Sequence, residues 1–320
     1  MMLRYIDAYL SPLLPVLARP DVTDIYINRP GELWIETLGG QTERHDASEL
    51  TEEHLWRLAR QIAAAAHQGI SREHPLLSAT LPDGSRIQIV APPATRGGLA
   101  IAIRKHVVAD LRLSDYAASG AFAATSVGSE GRSIAAPAPG VGLEIYLAEA
   151  VRARRNILVS GGTSTGKTTF LNALIKEIAP HERLILIEDT PELRVDHANA
   201  LGLVAVRGEL GEASLTQEDL LQASLRMRPD RIILGELRGT EAFTFLRAVN
   251  TGHPGSLSTI HADSPEGAIE QLALLVLQSG TQLRREDVVS YVLGVIDVFV
   301  QLERVQGRRV VSRVLVPKAA

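Results

Sequence analysis

The sequence predicts an α/β protein in which a domain with a mainly parallel sheet follows a smaller α+β domain. Beyond Leu143, short apolar runs that fit buried strands alternate with helical patterns, which is typical of a parallel sheet covered by helices on both faces. Before residue 117, short strand patterns are mixed with a helical pattern, which is typical of an α+β domain. Because a segment of biased composition separates the two patterns, we expect two domains within the 320 residues.

The N-terminal part, residues 1–116, contains strand, turn and helix signals. VTDIYINRPGELWIET predicts two strands joined by a turn at residues 28–31, LPDGSRIQIVAPP predicts a turn at Asp83-Gly84 followed by a strand, and LAIAIRKH predicts another strand. Between them, SELTEEHLWRLARQIAAAAH predicts an amphipathic helix capped by Ser48 or Thr51. This mixture predicts the α+β domain.

Residues 117–142 show the clearest change of composition in the chain. Nineteen of these 26 residues are Ala, Gly, Ser or Pro. Such a composition is typical of a flexible linker or a mobile loop, although the alanines could form a short helix. We therefore expect a linker here, between an N-terminal domain at 1–116 and a C-terminal domain at 143–320.

The C-terminal part predicts the strands of the larger sheet. Helical patterns at 143–155 and 167–178 flank the apolar strand NILVS, and further strands follow in RLILIE, GLVAV, RIILGE and LSTIH. The stretch VIDVFVQLERVQGRRVVSRVLVP predicts an antiparallel hairpin that turns near Gln306-Gly307. In such a sheet, ligands bind beyond the carboxyl ends of the strands, so polar residues that end these strands are candidate site residues.

Composition excludes several classes of protein and site. The chain has no cysteine, which excludes disulfides, cysteine catalysis and cysteine-ligated zinc sites. The net charge of −4, with −2 on each side of the Tyr116 boundary, argues against a general nucleic-acid-binding protein, so we expect no specific nucleic-acid recognition. No apolar run reaches 18 residues and the N-terminus lacks the features of a signal peptide, so we expect a cytoplasmic protein.

The stretch SGGTSTGKTT contains the pattern G-x-x-x-x-G-K-T, directly after the strand NILVS and at the start of a helix. In that context, backbone N–H groups and the helix N-terminus surround a phosphate, while Lys167 reaches the terminal phosphates and the Thr168 hydroxyl reaches Mg²⁺. The alternative is a glycine-rich turn with a chance lysine, which the flanking strand and helix disfavour. The predicted nucleotide-binding residues are Gly161, Gly162, Thr163, Ser164, Thr165, Gly166, Lys167, Thr168 and Thr169.

Acidic residues end two of the predicted strands. Glu188 and Asp189 follow RLILI, and Glu236 ends RIILGE, where Gly235 stands in place of the more common aspartate. Hydrolysis needs groups that position water and hold Mg²⁺. Either Glu188 or Glu236 could be the base that orients water while the other acts through Mg²⁺-bound water, so both are candidate catalytic residues and, with Thr168, candidate metal ligands. The alternative for each acid is a helix cap or an ion pair.

Four segments in this order, GGTSTGKTT, LILIEDTPEL, LRMRPDRIILGELRG and GHPGSLSTIHAD, together resemble the secretion ATPase superfamily, most closely the hexameric traffic ATPases of type IV secretion systems. In that family they are the Walker A, Asp, Walker B and His boxes. The resemblance extends to VTDIYINRPGE and to LPDGSRIQIVAPP with IAIRKH, so it covers nearly the whole chain.

The resemblance implies a RecA-like C-terminal domain, ATP bound between the two domains, and a ring of six subunits peripheral to the inner face of the cytoplasmic membrane. It implies that ATP hydrolysis drives domain motions which power pilus assembly and the translocation of protein or DNA–protein substrates. The implied partners are inner-membrane components of a secretion machine and the translocated substrate. Pilus-type and type II secretion motors remain alternatives, although type II relatives commonly carry a four-cysteine zinc module that this chain lacks.

Two arginines of the N-terminal part are candidate catalytic residues through the resemblance. Arg86 and Arg104 match residues that contact the terminal phosphate, and a guanidinium suits the charge that develops there in the transition state. Because a mobile domain carries them, they would couple nucleotide state to domain position. The alternative for each is a solvated strand residue. Weaker candidates are Lys105, Arg226, Arg228 and Arg238.

The stretch GHPGSLSTIHADSP contains His253 and His261. Their spacing of eight does not match the i, i+4 spacing of a helical metal pair. His261 follows a strand on the phosphate side of the sheet, where a neutral imidazole could bond a phosphate or an acid and report whether the terminal phosphate is present. We predict His261 as this sensor and His253 as a second candidate; the alternative is a satisfied surface or core histidine.

Two other functions share these motifs. A ring helicase on the same core would need a basic channel with aromatic residues, and aromatic residues make up only 4% of the chain. A nucleotide-gated scaffold would bind ATP with little turnover, which the presence of Glu188, Glu236 and His261 disfavours. The sequence therefore favours an ATP-hydrolysing secretion motor.

Overall fold

A computed structural model of the chain describes residue 6 and residues 8–38, 40–105, 142–206, 214–305 and 308–317. The predicted linker at 117–142 lies outside the described residues except for Gly142, and so do Gln306 and Gly307 of the predicted hairpin turn. The described residues contain two sheets, one on each side of the predicted linker.

The N-terminal sheet has six antiparallel strands in the order β3-β2-β1-β6-β5-β4. Its strands are β1 (Val22–Ile27), β2 (Gly31–Thr37), β3 (Thr42–Ala47), β4 (Leu76–Thr80), β5 (Arg86–Val90) and β6 (Ala100–Arg104), and the helices of this part include α1 (Leu14–Leu17) and α2 (Glu52–Ala65). The predicted pairing of β1 with β2 is confirmed, and so is the turn before β5, where Gly84 has a φ of +85°. Strand β3 was not predicted, because its sequence TERHDA is polar and mostly exposed.

Helix α2 packs on one face of this sheet. Its N-cap is Thr51, whose hydroxyl accepts a hydrogen bond from the N–H of His54 at 3.2 Å, so the second of the two predicted caps is the one that the structure has. Leu55, Leu58 and Ile62 are buried in one cluster with the isoleucines of β1 and β5. Each such side chain contributes about 1.5–3 kcal/mol of burial free energy, which ties the helix to the sheet.

The C-terminal sheet has seven strands in the order β13-β12-β7-β11-β10-β8-β9. The strands are β7 (Ile157–Gly161), β8 (Leu184–Glu188), β9 (Ala200–Val204), β10 (Arg231–Leu237), β11 (Leu257–Ile260), β12 (Val298–Val305) and β13 (Arg308–Leu315), with helices α3 (Leu143–Arg152), α4 (Lys167–Ile175), α5 (Gln217–Ser224), α6 (Glu241–Asn250), α7 (Pro265–Gln278) and α8 (Arg285–Val295). Every pairing is parallel except that of β12 with β13, which confirms the predicted mainly parallel sheet and the C-terminal hairpin.

Helices cover both faces of this sheet, because side chains of each strand alternate between two apolar clusters. Buried residues of α5 to α8 form one cluster with Leu158, Ile185 and Leu234, and buried residues of α3 and α4 form the other with Ile157 and Val159. The strand ends that these helices leave open carry the site described below.

The segment between β5 and β6 contacts the larger sheet at its edge strand β9. The backbone N–H of Val204 donates to the carbonyl of Ala94 at 3.0 Å, and the N–H of Arg96 donates to the carbonyl of Gly202 at 3.0 Å. Between these two bonds, Thr95 forms an antiparallel bridge with Leu203. The segment after β5 thereby continues the C-terminal sheet by one short antiparallel contact.

A second contact between the two parts is polar and buried. The Arg183 guanidinium lies 3.9 Å from the ring centroid of Tyr26, and its Nη1 donates to the Oδ1 of Asn28 at 2.9 Å and of Asn199 at 2.6 Å. Burial lowers the pKa of Arg183 to about 10. Because the guanidinium is charged at neutral pH, its bonds to both parts of the chain hold the N-terminal sheet against the larger domain.

Candidate nucleotide site

A cavity of about 520 Å³, called here the nucleotide cavity, lies at the carboxyl ends of β7, β8, β10 and β11. This is the end at which parallel sheets bind ligands. The predicted residues Lys167, Thr168, Glu188, Glu236 and His261 all line it. Its further lining residues are Thr163, Ser164, Thr165, Gly166, Thr169, Asp189, Thr190, Glu192, Leu193, Gln217, Gly235, Arg238, Thr259 and Arg309.

The phosphate loop connects β7 to α4 in a tightly turned conformation. Gly166, the residue before α4, has a φ of +93°, and Ser164 has a φ of +62°. The hydroxyl of Thr165 donates to the carbonyl of Gly162 at 2.9 Å, which closes the loop on itself. A side chain at Gly161 would meet that hydroxyl at 2.5 Å, so only glycine fits there. The loop is therefore shaped by its own contacts, as a phosphate cradle requires.

Lys167 lies inside this loop rather than in solvent. Its Nζ donates to the carbonyls of Gly161 at 3.0 Å and Gly162 at 3.3 Å, and it lies 3.6 Å from Oε1 of Glu236. Burial lowers the pKa of Lys167, and Glu236 partly offsets that effect. The ammonium group is thus held at the position where a phosphate would approach, with a carboxylate beside it.

Glu236 is bonded to three side chains at the end of β10. His261 Nε2 lies 3.0 Å from its Oε1, and Arg238 forms an ion pair with its Oε2. Both ring nitrogens of His261 lie 3.4 Å from Nζ of Lys167. A neutral imidazole protonated at Nε2 satisfies this arrangement, because it donates to Glu236 and accepts from Lys167 at Nδ1. The three predicted residues Lys167, Glu236 and His261 therefore form one bonded unit.

Glu188 is held more tightly than Glu236. It is 2% exposed, and its Oε1 accepts hydrogen bonds from the backbone N–H of Glu192 at 2.8 Å and of Leu193 at 2.7 Å. Its Oε2 forms an ion pair with the guanidinium of Arg96, which comes from the N-terminal part of the chain. Both oxygens of this carboxylate are engaged within the chain.

The sequence reasoning missed three residues that either line the cavity or contact one of its acids. Arg96 pairs with Glu188, and Arg309 of β13 lies so close to the phosphate loop that a Cβ on Gly166 would be 2.9 Å from its Cδ. Gln217, at the start of α5, is 7% exposed, and its Oε1 has no hydrogen-bond partner among the described residues. No motif marks these residues, because each reaches the cavity from a distant part of the chain.

Arg86 and Arg104 do not line the nucleotide cavity. They lie directly opposite each other on β5 and β6 and line a separate cavity of about 300 Å³, called here the arginine cavity, together with Arg226 and Arg228. Arg228 pairs with Glu36 at 2.8 Å, and Arg104 lies directly opposite Asp24 of β1, whereas Arg86 forms no ion pair with any described residue. Like charges directly opposite in a sheet are destabilising, so this pair of arginines is suited to an anion.

His253 lies away from the nucleotide cavity. Its Nδ1 lies 3.0 Å from the carbonyl oxygen of Pro229, to which a ring N–H donates, and burial lowers its pKa. The position fits a satisfied histidine of the loop before β11, and the prediction of a second sensor has no support in this geometry.

The donors at the nucleotide cavity fit a magnesium ion that is held largely through phosphate and water. Thr168 and Glu236 line the cavity, and within the described ranges no group of three or more His, Asp or Glu residues could hold a metal alone. Mg²⁺ usually keeps several waters and binds one or two protein oxygens plus substrate phosphates. Glu188, the third predicted ligand, would first have to leave Arg96.

Comparisons with known proteins identify the family of the chain. The family described as type II/IV secretion system protein matches residues 137–310. The chain is 37% identical to the type IV secretion system protein VirB11 of Bartonella quintana over 95% of this chain and 91% of that protein. It is 40% identical to the PtlH homolog of the Bordetella bronchiseptica type IV secretion system over 97% of this chain and 94% of that protein.

The same similarity appears in a solved structure. The VirB11 ATPase of the Brucella suis type IV secretion system, crystallised in complex with sulphate, superimposes with a TM-score of 0.89 at 37% identity, covering 98% of this chain and 95% of that one. The predicted α/β fold class with a RecA-like domain is thereby confirmed. In the part of the chain that the structure describes, no helix is long and apolar enough to cross a membrane.

Proposed function

Because the chain belongs to the type II/IV secretion system protein family and is an ATP-hydrolysing enzyme of type IV secretion, we propose that it works as a ring of six subunits that converts ATP hydrolysis into domain motion. The observation that carries the proposal is the bonded unit of Lys167, Glu236 and His261 beside the phosphate loop. It combines a phosphate-binding cation, an acid and a neutral imidazole at the end of one sheet.

ATP binds with its phosphates in the loop between β7 and α4. Backbone N–H groups of the loop and the N-terminus of α4 bind the phosphate oxygens, and Lys167 moves its ammonium group from the loop carbonyls to the terminal phosphates. Thr168 and Glu236 would hold Mg²⁺, directly or through water, and the ion supplies positive charge to the phosphates in the transition state.

Glu236 is the group that orients the attacking water. Its carboxylate lies beside Lys167 and His261 at the phosphate loop, whereas the carboxylate of Glu188 is held by Arg96 and by two backbone N–H groups of the loop after β8. The water oxygen attacks the γ-phosphorus, the bond to the bridging oxygen breaks, and the water proton passes through Glu236 to the phosphate that is released. His261 holds Glu236 in place and senses whether the terminal phosphate is present.

The arginine cavity serves a neighbouring subunit of the ring. Arg86 and Arg104 are exposed and adjacent, only Arg104 has an acid opposite it in the sheet (Asp24), and they lie outside the nucleotide cavity of their own chain. A terminal phosphate presented by the next subunit would supply the missing negative charge. This arrangement makes hydrolysis depend on assembly, and it retains the prediction that both arginines contact the terminal phosphate.

The partners of this motor are further copies of the chain, inner-membrane components of the secretion machine and the substrate that is moved. Contact with the cytoplasmic membrane is peripheral and goes through those components or lipid head groups. A ring of subunits with two-part domains suits this work, because hydrolysis in one cavity changes the position of an N-terminal sheet that other subunits contact.

One preparation tests the proposal. Phosphate release and mass by light scattering are measured on the purified chain, with and without ATP and Mg²⁺. We expect turnover and a mass of six subunits with nucleotide, and at least a hundredfold loss of turnover in Glu236→Gln with ATP binding retained. A monomer under every condition would overturn the ring, and a Glu236→Gln variant as active as the parent protein would overturn the assigned base.

A further inference from the structure

The contact between Arg96 and Glu188 connects the N-terminal part of the chain to an acid of the nucleotide cavity. Beyond its ion pair with Glu188, Arg96 donates from Nη1 to the carbonyl of Leu193 at 2.9 Å. Leu193 in turn donates its N–H to Glu188 at 2.7 Å. The guanidinium, the carboxylate and the loop after β8 thus form a closed set of charge-assisted and backbone bonds.

The backbone of Arg96 is fixed on the edge strand of the C-terminal sheet. Its N–H donates to the carbonyl of Gly202, and its side chain crosses that residue so closely that a Cβ on Gly202 would lie 2.3 Å from Cδ of Arg96. Only glycine leaves room for this stem. The contact between β9 and Glu188 therefore depends on Gly202 of the strand as well as on Arg96.

The segment around Arg96 is also tied back to the N-terminal domain. The hydroxyl of Thr95 donates to the carbonyl of Gly98 at 2.7 Å and lies 3.1 Å from that of Gly97, which closes a turn. Gly98 lies against helix α2, since a Cβ there would be 2.2 Å from a carboxylate oxygen of Glu52. A movement of α2 relative to the larger sheet would therefore be transmitted to Arg96 through Gly98 and the turn that Thr95 closes.

We propose that Arg96 is a positioning residue that transmits the position of the N-terminal domain to the carboxylate of Glu188, and so sets the rate of hydrolysis. With the domain docked, the guanidinium fixes Glu188 and the loop that follows it. When the domain moves, the carboxylate loses its partner while it stays buried, and a buried unpaired carboxylate turns to another cation. The cations that line the cavity with it are Lys167, Arg238 and Arg309.

This inference rests on the proposed function. It adds a way for the N-terminal domain to control the rate of hydrolysis, which the phosphate loop alone does not provide. A displacement of about 1 Å in a positioned group can lower a rate by about a hundredfold. Arg96 contacts Glu188 but does not line the nucleotide cavity. Its loss should therefore change the rate of the chemical step more than the binding of ATP.

The test compares Arg96→Gln, Arg96→Lys and the control Asn28→Ala in the assembled protein. Asn28 bonds across the same domain boundary, to Arg183 and Asn199, without touching Glu188. We expect Arg96→Gln to lower kcat at least tenfold with the KM for ATP changed less than threefold, Arg96→Lys to recover part of kcat, and Asn28→Ala to change kcat less than twofold.

Amide hydrogen exchange adds a readout that does not need turnover. In Arg96→Gln, the N–H groups of Glu192 and Leu193, which donate to Glu188, should exchange at least tenfold faster, while the N–H groups of β7 remain unchanged. An unchanged kcat in Arg96→Gln, or an equal loss in Asn28→Ala, would overturn the inference and leave a docking contact only. A parent protein without turnover would instead contradict the proposed function.

Discussion

The nucleotide cavity and the arginine cavity differ in how their charges are balanced. In the nucleotide cavity the charges at its centre have partners within the chain: Lys167 has Glu236, and Glu188 has Arg96. In the arginine cavity four guanidinium groups meet; among described residues Arg228 pairs with two acids and Arg104 lies opposite Asp24. The central charges of the first site are therefore paired within one chain, whereas the second site keeps more arginines than acids.

Under the proposed function, this difference separates the binding of ATP from the control of its hydrolysis. A cavity with balanced charges tolerates an empty state and exchanges its internal partners for phosphate and metal when nucleotide arrives. A cavity with unbalanced positive charge gains free energy only when an anion enters it, so it reports the presence of that anion. The variants below should affect the two cavities in different ways.

The largest effect is expected for Lys167→Ala, which removes the only cation within the phosphate loop. We expect kcat to fall at least a hundredfold, because a preorganised positive group on the transferring phosphate is lost. The measurement is phosphate release at saturating ATP, with thermal unfolding as the control for folding. Turnover within a few fold of the parent protein would mean that the chemistry occurs elsewhere.

Arg86→Ala and Arg104→Ala are expected to lower kcat about ten- to hundredfold without weakening ATP binding to a single chain. The sharper measurement mixes Arg86→Ala with Lys167→Ala. If the arginines act on the phosphate of a neighbouring subunit, mixed rings contain some intact sites and regain activity. A mixture no more active than the average of its two components would place the arginines in their own chain's site.

His261→Ala should lower kcat about tenfold and change ATP affinity less than threefold. The imidazole bonds Glu236 and lies beside Lys167, so its loss disturbs the orientation of the acid but leaves the phosphate loop intact. Turnover and binding are measured on the same preparation, with His253→Asn as the matched histidine control. Equal turnover in His261→Ala and the parent protein would make His261 an ordinary surface residue.

The smallest effect concerns His253, outside both cavities. Since burial lowers its pKa below the ordinary value of 6.5, the unfolded chain binds a proton more readily than the folded chain. Stability is therefore full above pH 6.5 and decreases as the pH falls through and below that value. Urea unfolding at pH 7.5 and 5.5 measures it, and His253→Asn should reduce the dependence. An identical dependence in the variant would assign it to other groups.

The sequence could predict the residues that a strand end brings to the site. Glu188, Glu236 and His261 each follow an apolar run, and parallel strands bring such ends together without knowledge of the tertiary contacts. The phosphate-loop motif identified Lys167 as the fourth residue of the site. The mainly parallel order could be predicted for the same reason, because it depends on local periodicity and connection length.

Residues that reach the site through domain docking could not be predicted in this way. Arg96 contacts Glu188 because a segment after β5 bonds to β9, and Arg309 reaches the phosphate loop because β13 folds back on β12. Neither contact leaves a periodic pattern in the sequence. The same holds for the separation of Arg86 and Arg104 from the nucleotide cavity, which depends on how the two sheets lie against each other.

The bonds between residues 94–96 and strand β9 have a practical consequence for making parts of this protein. Strand β9 is the last strand on its side of the larger sheet, and the N-terminal segment covers part of its free edge. An uncovered edge strand with apolar residues invites pairing with other chains and aggregation. A shortened protein that begins after residue 142 would expose this edge, so we expect it to be less soluble than one that keeps the N-terminal half.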